Sequence, residues 1–270
     1  MKIAFIGDIV GRPGRKIIKH NLSNLRNKYD LDFVVANGEN ASHGFGLTVD
    51  NANELFKCGI DLITGGNHSW DKQKDILALF KTSLVLRPDN YPKEVPGSGL
   101  KIIDVNGIKL AIVNLMGMMS MPQVINPFTH VLPLIEKLKK DGVKHICLDF
   151  HAEATAEKRI MMQLLKSKVS AICGTHTHIG TDDLEITDGT FYVTDIGLTG
   201  CRDNVIGMDN KVPIQKALTG LGGHFSVPND CKSIMQIVII NLDEDGQCYD
   251  GLKIKLYNDK DDIISHSIFN

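Results

Sequence analysis

Short apolar runs that stop abruptly at turn signals recur along the whole chain, at Ile3–Ile6, Phe33–Ala36, Leu62–Thr64, Leu110–Leu115, His145–Phe150, Ala171–Cys173, Phe191–Thr194 and Ile234–Ile240. Runs of this kind read as strands buried on both faces. Between the early ones lie helix-compatible stretches, near Arg15–Tyr29, Val49–Cys58, Lys72–Phe80 and Ala156–Lys166. The first half is therefore read as strand–helix units around a largely parallel sheet. The second half carries hairpin signals instead: Asn106-Gly107 between two strand-like runs and Asp188-Gly189 ahead of another. The expected fold class is α/β with a mixed sheet. The Pro/Gly-containing stretch Arg87–Gly99 suits an ordered surface loop better than a linker. Residues 1–270 are accordingly read as one domain.

Composition excludes several functions. Hydrophobic residues at 43% and charged residues at 23% fit a packed globular chain and not a disordered, collagen-like or coiled-coil one. Thirty Lys and Arg against 32 Asp and Glu leave no basic footprint, so strong nucleic-acid binding is not expected. The first apolar run meets Asp8 too early for a signal peptide, and no run of about 18 apolar residues occurs. No membrane association is expected. Cysteines 58, 147, 173, 201, 231 and 248 form no C-x-x-C pair, and Cys147 and Cys173 sit in strand-like runs. A cytoplasmic chain without disulfides is the expectation.

The informative polar residues stand where apolar runs end: Gly7-Asp8, Gly38-Glu39-Asn40, Gly65-Gly66-Asn67-His68, Asp149-Phe150-His151 and Gly174-Thr175-His176-Thr177-His178. Strand-to-helix loops of a parallel sheet gather at its carboxyl edge, so these distant segments are expected to converge. Each alone has an ordinary explanation; an Asp at a strand end is often a helix N-cap. His176 and His178 are stronger, because residues i and i+2 of an extended segment point the same way. Together the set reads as a metal site. The other histidines (20, 130, 145, 224 and 266) read as surface or packing residues, and Trp70 as packing behind the Asn67-His68 loop.

These residues resemble the calcineurin-like metallophosphoesterases, whose pattern is D-x-H, then G-D, G-N-H-D/E, a lone His and G-H-x-H. Val10 stands where the first motif has its His, and Glu39 where a bridging Asp is usual. The strings GDIVGRPGR, NGENASHGFGLT, GGNHSWD, RPDNYP, DFHAEATAEK, GTHTHIGT and TDIGLTG are similar to those of the YmdB family of bacterial phosphodiesterases and cover most of residues 1–210. The resemblance implies an α-β-β-α sandwich with two metals: one held by Asp8, Glu39, Asn40 and His178, the other by Glu39, Asn67, His151 and His176, with Glu39 bridging.

Oxygen and imidazole ligands without a thiolate suit two divalent or trivalent ions among Fe, Mn, Zn and Co, and the family favours iron or manganese. Two such metals about 3.5–4 Å apart can polarise a phosphoryl oxygen, lower the pKa of a shared water and deliver the resulting hydroxide in line. With Asp8 and Glu39 as the only carboxylate ligands the site stays net positive, which suits an anionic diester. His68, next to Asn67 and outside both ligand sets, is the candidate general acid. The implied substrate is a nucleoside 2′,3′-cyclic monophosphate or related phosphodiester. A phosphomonoesterase or protein phosphatase on the same metals, and a metal-binding regulatory protein with incidental diesterase activity, are the alternatives. A homo-oligomer is compatible with the sequence; the adaptable Met116–Met121 stretch is a candidate site cover, interface or core segment.

Overall fold

The computed structural model describes residues 1–82 and 84–270. The first third contains β1 (Lys2–Ile6), α1 (Gly11–Tyr29), β2 (Phe33–Asn37), α2 (Val49–Lys57), β3 (Leu62–Thr64) and α3 (Gln73–Leu79). There follow β4 (Leu100–Val105), β5 (Ile108–Met116), α4 (Pro127–Lys140), β6 (His145–His151), α5 (Thr155–Leu165) and β7 (Ala171–Thr175). The last third holds β8 (Glu185–Thr187), β9 (Thr190–Val193), β10 (Gly200–Cys201), α6 (Lys211–Thr219), β11 (Ser233–Leu242), β12 (Cys248–Tyr257), β13 (Ile263–His266) and β14 (Ile268–Phe269).

The strands make two mixed sheets, β13-β12-β11-β1-β2-β3 with β10 on β11, and β14-β8-β9-β7-β6-β5-β4. In the first, β1, β2 and β3 run parallel and β11 antiparallel to β1. In the second, β5, β6, β7 and β9 run parallel. Three apolar layers hold them. Ile18 and Leu22 of α1 and Leu55 of α2 pack against Ala4, Ile6 and Val34 outside the first sheet. Val131 and Ile135 of α4 and Met161 and Met162 of α5 pack against Ile146, Leu148 and Phe150 outside the second. Between the sheets lie Ile3, Phe5, Val35, Leu62, Ile112, Cys147 and Cys173. Strands covered on both faces need apolar residues at successive positions, which is why the runs read as continuous.

That inner face changes character at one end. Alternation along each strand carries it from Val35 to Asn37, from Leu62 to Thr64, from Ile112 to Asn114, from Cys147 to Asp149 and His151, and from Cys173 to Thr175. All six polar side chains are buried. The sandwich thus has an apolar middle and a polar, carboxyl-end rim.

Several elements depart from the sequence reading. Helix α4 is interrupted as a pattern by Pro133, yet Asn126 caps it by accepting from the Phe128 and Thr129 N–H groups. Helix α6 buries none of its residues, so it carries no periodic signal. Met116 is core at the end of β5, whereas Met118 and Met119 are exposed and give their backbone N–H groups to Glu157. The expectation of a disulfide-free chain is overturned by a Cys201–Cys231 bond, with Cα atoms 5.6 Å apart. Antiparallel pairing of Cys201 with Ser233 brings the two together, a tertiary juxtaposition that spacing does not reveal. No helix of the described residues is long and apolar enough to cross a membrane.

Candidate metal centre

Five strand ends from both sheets meet at the polar rim. Asp8 follows β1, Glu39 and Asn40 follow β2, Asn67 and His68 follow β3, His151 ends β6, and His176 and His178 follow β7. All seven residues expected as ligands come together. Nε2 of His151 is the focus: Asn67 Oδ1 lies 2.9 Å away, Glu39 Oε1 3.0 Å and His176 Nδ1 3.1 Å. Ligand-type atoms of Glu39, His151 and His176 lie within 4.8 Å of one another. Asn40 Nδ2 is 3.3 Å from both Glu39 Oε1 and His178 Nε2, and Asp8 Oδ1 is 3.9 Å from His178 Nε2. That Asp8 oxygen is buried and has no hydrogen-bond partner among the described residues. Gly66 permits the approach, because a Cβ there would collide with His151 and with Glu39 Oε2.

The outward ring nitrogens have their own partners. His151 Nδ1 donates to Thr175 Oγ1 at 3.0 Å, and that hydroxyl donates to Asp149 Oδ1 at 2.6 Å. Asp149 Oδ2 accepts from Thr64, whose strand adjoins the Asn67 loop. His178 Nδ1 donates to the Ile206 carbonyl at 2.8 Å. Glu153 Oε2 stands 3.0 Å from His176 Nε2. Each histidine therefore keeps one nitrogen for the cluster, the arrangement by which outlying groups fix a ligand's tautomer and aim. Donors of this kind, together with an orphaned buried carboxylate oxygen, fit bound metal.

His176 and His178 reach the cluster differently from the extended-segment expectation. Their φ angles are 103° and 65°, so the pair sits in a bend of left-handed residues rather than on one face of a strand. The bend is held by Asp195, whose Oδ2 accepts from the Thr177 N–H at 3.0 Å and pairs with Lys158 Nζ at 2.7 Å, both side chains buried. Such strained conformations persist where surroundings enforce them.

Electrostatics follow from burial and proximity. Burial opposes ionisation of Glu39, but His151 and the His68 backbone N–H bring its carboxyl down to about 2. Burial also opposes charging of His151, yet Glu39, Asp8 and Asp149 lift it to about 9. Burial, reinforced by neighbouring His151, takes His176 down to about 3, and burial raises Asp8 and takes Asp149 up to about 6. His68 stays at the edge: its backbone N–H reaches Glu39 Oε2 at 2.9 Å, and its Nδ1 pairs with Asp71 at 2.7 Å. Trp70 packs edge-on against Phe80 and Tyr91, as the sequence reading has it. His130 pairs with Asp89, and His145 with the Asp243 carbonyl, away from the centre.

The family model described as YmdB-like protein matches residues 4–254. This chain belongs to the YmdB-like family. A Bacillus subtilis (strain 168) relative named 2′,3′-cyclic-nucleotide 2′-phosphodiesterase is 40% identical over 245 residues, 90% of this chain and 92% of that one. The crystal structure of a novel phosphatase from Mycoplasma pneumoniae superposes with a TM-score of 0.90 at 34% identity, covering 95% of this chain and 93% of that one. The NAD nucleotidase of Haemophilus influenzae shares the fold alone, with a TM-score of 0.61 at 15% identity over 95% of this chain and 56% of that one. The YmdB-like chain thus has the metallophosphoesterase fold, and its relatives carry the names of phosphodiesterases and phosphatases.

What the sequence reading missed is the supporting set: Thr175, Asp149, Glu153, Asp195 and Ile206. Asp149 had a signal, since it precedes His151 by two positions in an otherwise apolar strand.

Proposed function

We propose that this YmdB-like enzyme hydrolyses nucleoside 2′,3′-cyclic monophosphates at a dinuclear centre. Asp8, Glu39, Asn40 and His178 would hold one ion and Glu39, Asn67, His151 and His176 the other. One observation carries the reading: three imidazoles each have an outward nitrogen engaged and the other turned into the cluster, that of His151 toward Glu39 and Asn67, that of His178 toward Asn40 and Asp8, and that of His176 toward His151. The donor set suits iron or manganese, with zinc and cobalt as alternatives. When bound, the ions supply Lewis-acid polarisation of the phosphoryl group and an activated water.

The remaining work falls to side chains. Asp71 orients His68 through Nδ1, and His68 lines the cavity beside the cluster, where it can protonate the departing ribose oxygen. No Lys or Arg lines that cavity among the described residues. A monoester dianion would lack the guanidinium contacts that its additional charge favours, so a diester is the better match. The shared apolar layer between the sheets supports treating residues 1–270 as one domain.

The test is a crystal structure with anomalous scattering, coupled to turnover of adenosine 2′,3′-cyclic monophosphate and of nitrophenyl phosphate by the same preparation. Two ions bridged by Glu39 and faster diester turnover are expected. One ion that persists in Glu39→Gln, or faster monoester turnover, overturns the reading.

A further inference from the structure

Half of the cavity has no evident business with a phosphate. Its volume is about 350 Å³, near the lower end of the roughly 300–1,000 Å³ usual for small-molecule sites. The polar lining residues all belong to the metal cluster or adjoin it. Glu39, Asn40, His176 and His178 are members, His68 donates to Glu39, and Glu153 and Thr177 flank His176. The rest of the wall is apolar: Phe45, Ile206, Met208 and Phe225.

This wall is built from two segments locked together. Phe45 lies five residues beyond Asn40, in a loop whose Gly44 has φ 88° and sits so close to Met208 that a Cβ would come within 2.6 Å of its Cε. Phe45 also meets His68 edge-on, with ring centroids 5.1 Å apart. The second segment carries Ile206, Met208 and Phe225. Ile206 has φ 45°, a conformation that β-branched residues rarely adopt, and its carbonyl is the one that fixes His178. Lys216 Nζ lies 5.5 Å from the Phe225 ring centroid, which steadies that ring. Phe45 and Phe225 are both half-buried, so aromatic surface remains open beside the cluster.

We propose that Phe45 and Phe225, with Met208, form a stacking site for the nucleobase of a mononucleotide diester whose phosphate lies at the metal cluster. The assignment rests on the phosphodiesterase reading above and adds what holds the rest of the substrate. The polar lining groups cluster at the phosphate end, so the base is gripped by its face and not read along its edge. Base preference then follows stacking, with purines ahead of pyrimidines and adenine close to guanine.

The experiment compares adenosine 2′,3′-cyclic monophosphate with glycerol 1,2-cyclic phosphate, the same five-membered cyclic diester without a base, on metal-loaded protein. Phe225→Leu, which keeps apolar bulk but removes the ring, should lower the adenosine-to-glycerol ratio of kcat/KM by about tenfold, the usual scale for losing one base–aromatic stack. The loss should lie in KM, Phe225→Tyr should recover the ratio, and Phe45→Leu should repeat it. An unchanged ratio in both leucine variants overturns the stacking site. Calorimetry keeps the two readings apart: if neither cyclic ester is cut, the phosphodiesterase reading has failed, and binding of adenosine 3′-monophosphate against glycerol phosphate still interrogates the wall. Tighter adenosine binding that Phe225→Leu abolishes supports the stacking site; equal binding of the two overturns it.

Discussion

Glu153 Oε2 stands 3.0 Å from Nε2 of His176, across the ring from the Nδ1 that lies 3.1 Å from His151. The carboxylate draws the ring proton to its own side and leaves Nδ1 free for the cluster. Glu153→Ala should therefore weaken metal affinity about 10–100-fold. Glu153→Gln, whose amide oxygen still accepts, should lose less. Chelator competition measures both, and equal affinities for wild type and Glu153→Ala would leave His176 oriented by its backbone alone.

His68 gives a leaving-group test. Cleavage of a cyclic nucleotide expels a ribose alkoxide that needs a proton, whereas nitrophenolate leaves unaided. His68→Ala should slow the cyclic substrate by about 10²–10⁴-fold and bis(nitrophenyl) phosphate far less. Metal content is measured on the same preparations. Equal slowing at full occupancy would remove His68 from the general-acid role.

Lys158 and Asp195 separate stability from metal binding. Both side chains are buried in their 2.7 Å pair, so either Lys158→Met or Asp195→Ala should cost about 3–5 kcal/mol in a denaturant titration. Asp195 also holds the Thr177 N–H between the two ligand histidines. Asp195→Ala should then lose metal affinity beyond its lost stability, while Lys158→Met should retain most of it.

Lys253 predicts a pH dependence. It is fully buried, giving its ammonium protons to the Thr181 and Asp195 carbonyls, and burial, with Lys255 nearby, lowers its pKa to about 8 from the usual 10.5. Below pH 8 both folded and unfolded chains carry the proton, and the fold bears the full penalty of burying charge. Between about 8 and 10.5 the unfolded chain binds more protons, so stability rises with pH across that window. Denaturation midpoints of wild type relative to Lys253→Met should show this rise; parallel pH profiles would contradict it.

The Cys201–Cys231 bond can be counted directly. Oxidised protein unfolded without reductant should titrate four thiols, those of Cys58, Cys147, Cys173 and Cys248. Reduced protein should titrate six, the four plus the two released from the bond. Six thiols before reduction would mean that the bond does not form in solution.

The strand tips of the centre were legible because nothing about packing explains a carboxylate, amide or imidazole at the end of a buried apolar run. Asp8, Glu39, Asn67, His151 and His178 all announce themselves that way. The helpers did not. Thr175 is unremarkable at a strand end, Ile206 acts through its carbonyl, and Glu153 reads as one more exposed acid on the way into α5. The bend at His176 and His178 depends on left-handed backbone that composition does not encode. Helix α4 hid behind Pro133, and α6 lacks any buried face to write a period into its sequence.

The segment closed by Cys201 and Cys231 is an excursion between β10 and β11 of the first sheet, and it brings Ile206, Met208 and Phe225 to the cavity. The ligands, by contrast, sit on strand tips anchored in both sheets, with the carbonyl of Ile206 as the point where the excursion holds a ligand side chain directly. Variation is thereby partitioned. Residues past Met208 can be lengthened, shortened or resequenced to suit a different guest while the metal cradle stays as it is, so divergence in what such a chain accepts is expected to accumulate in this span before it reaches the tips.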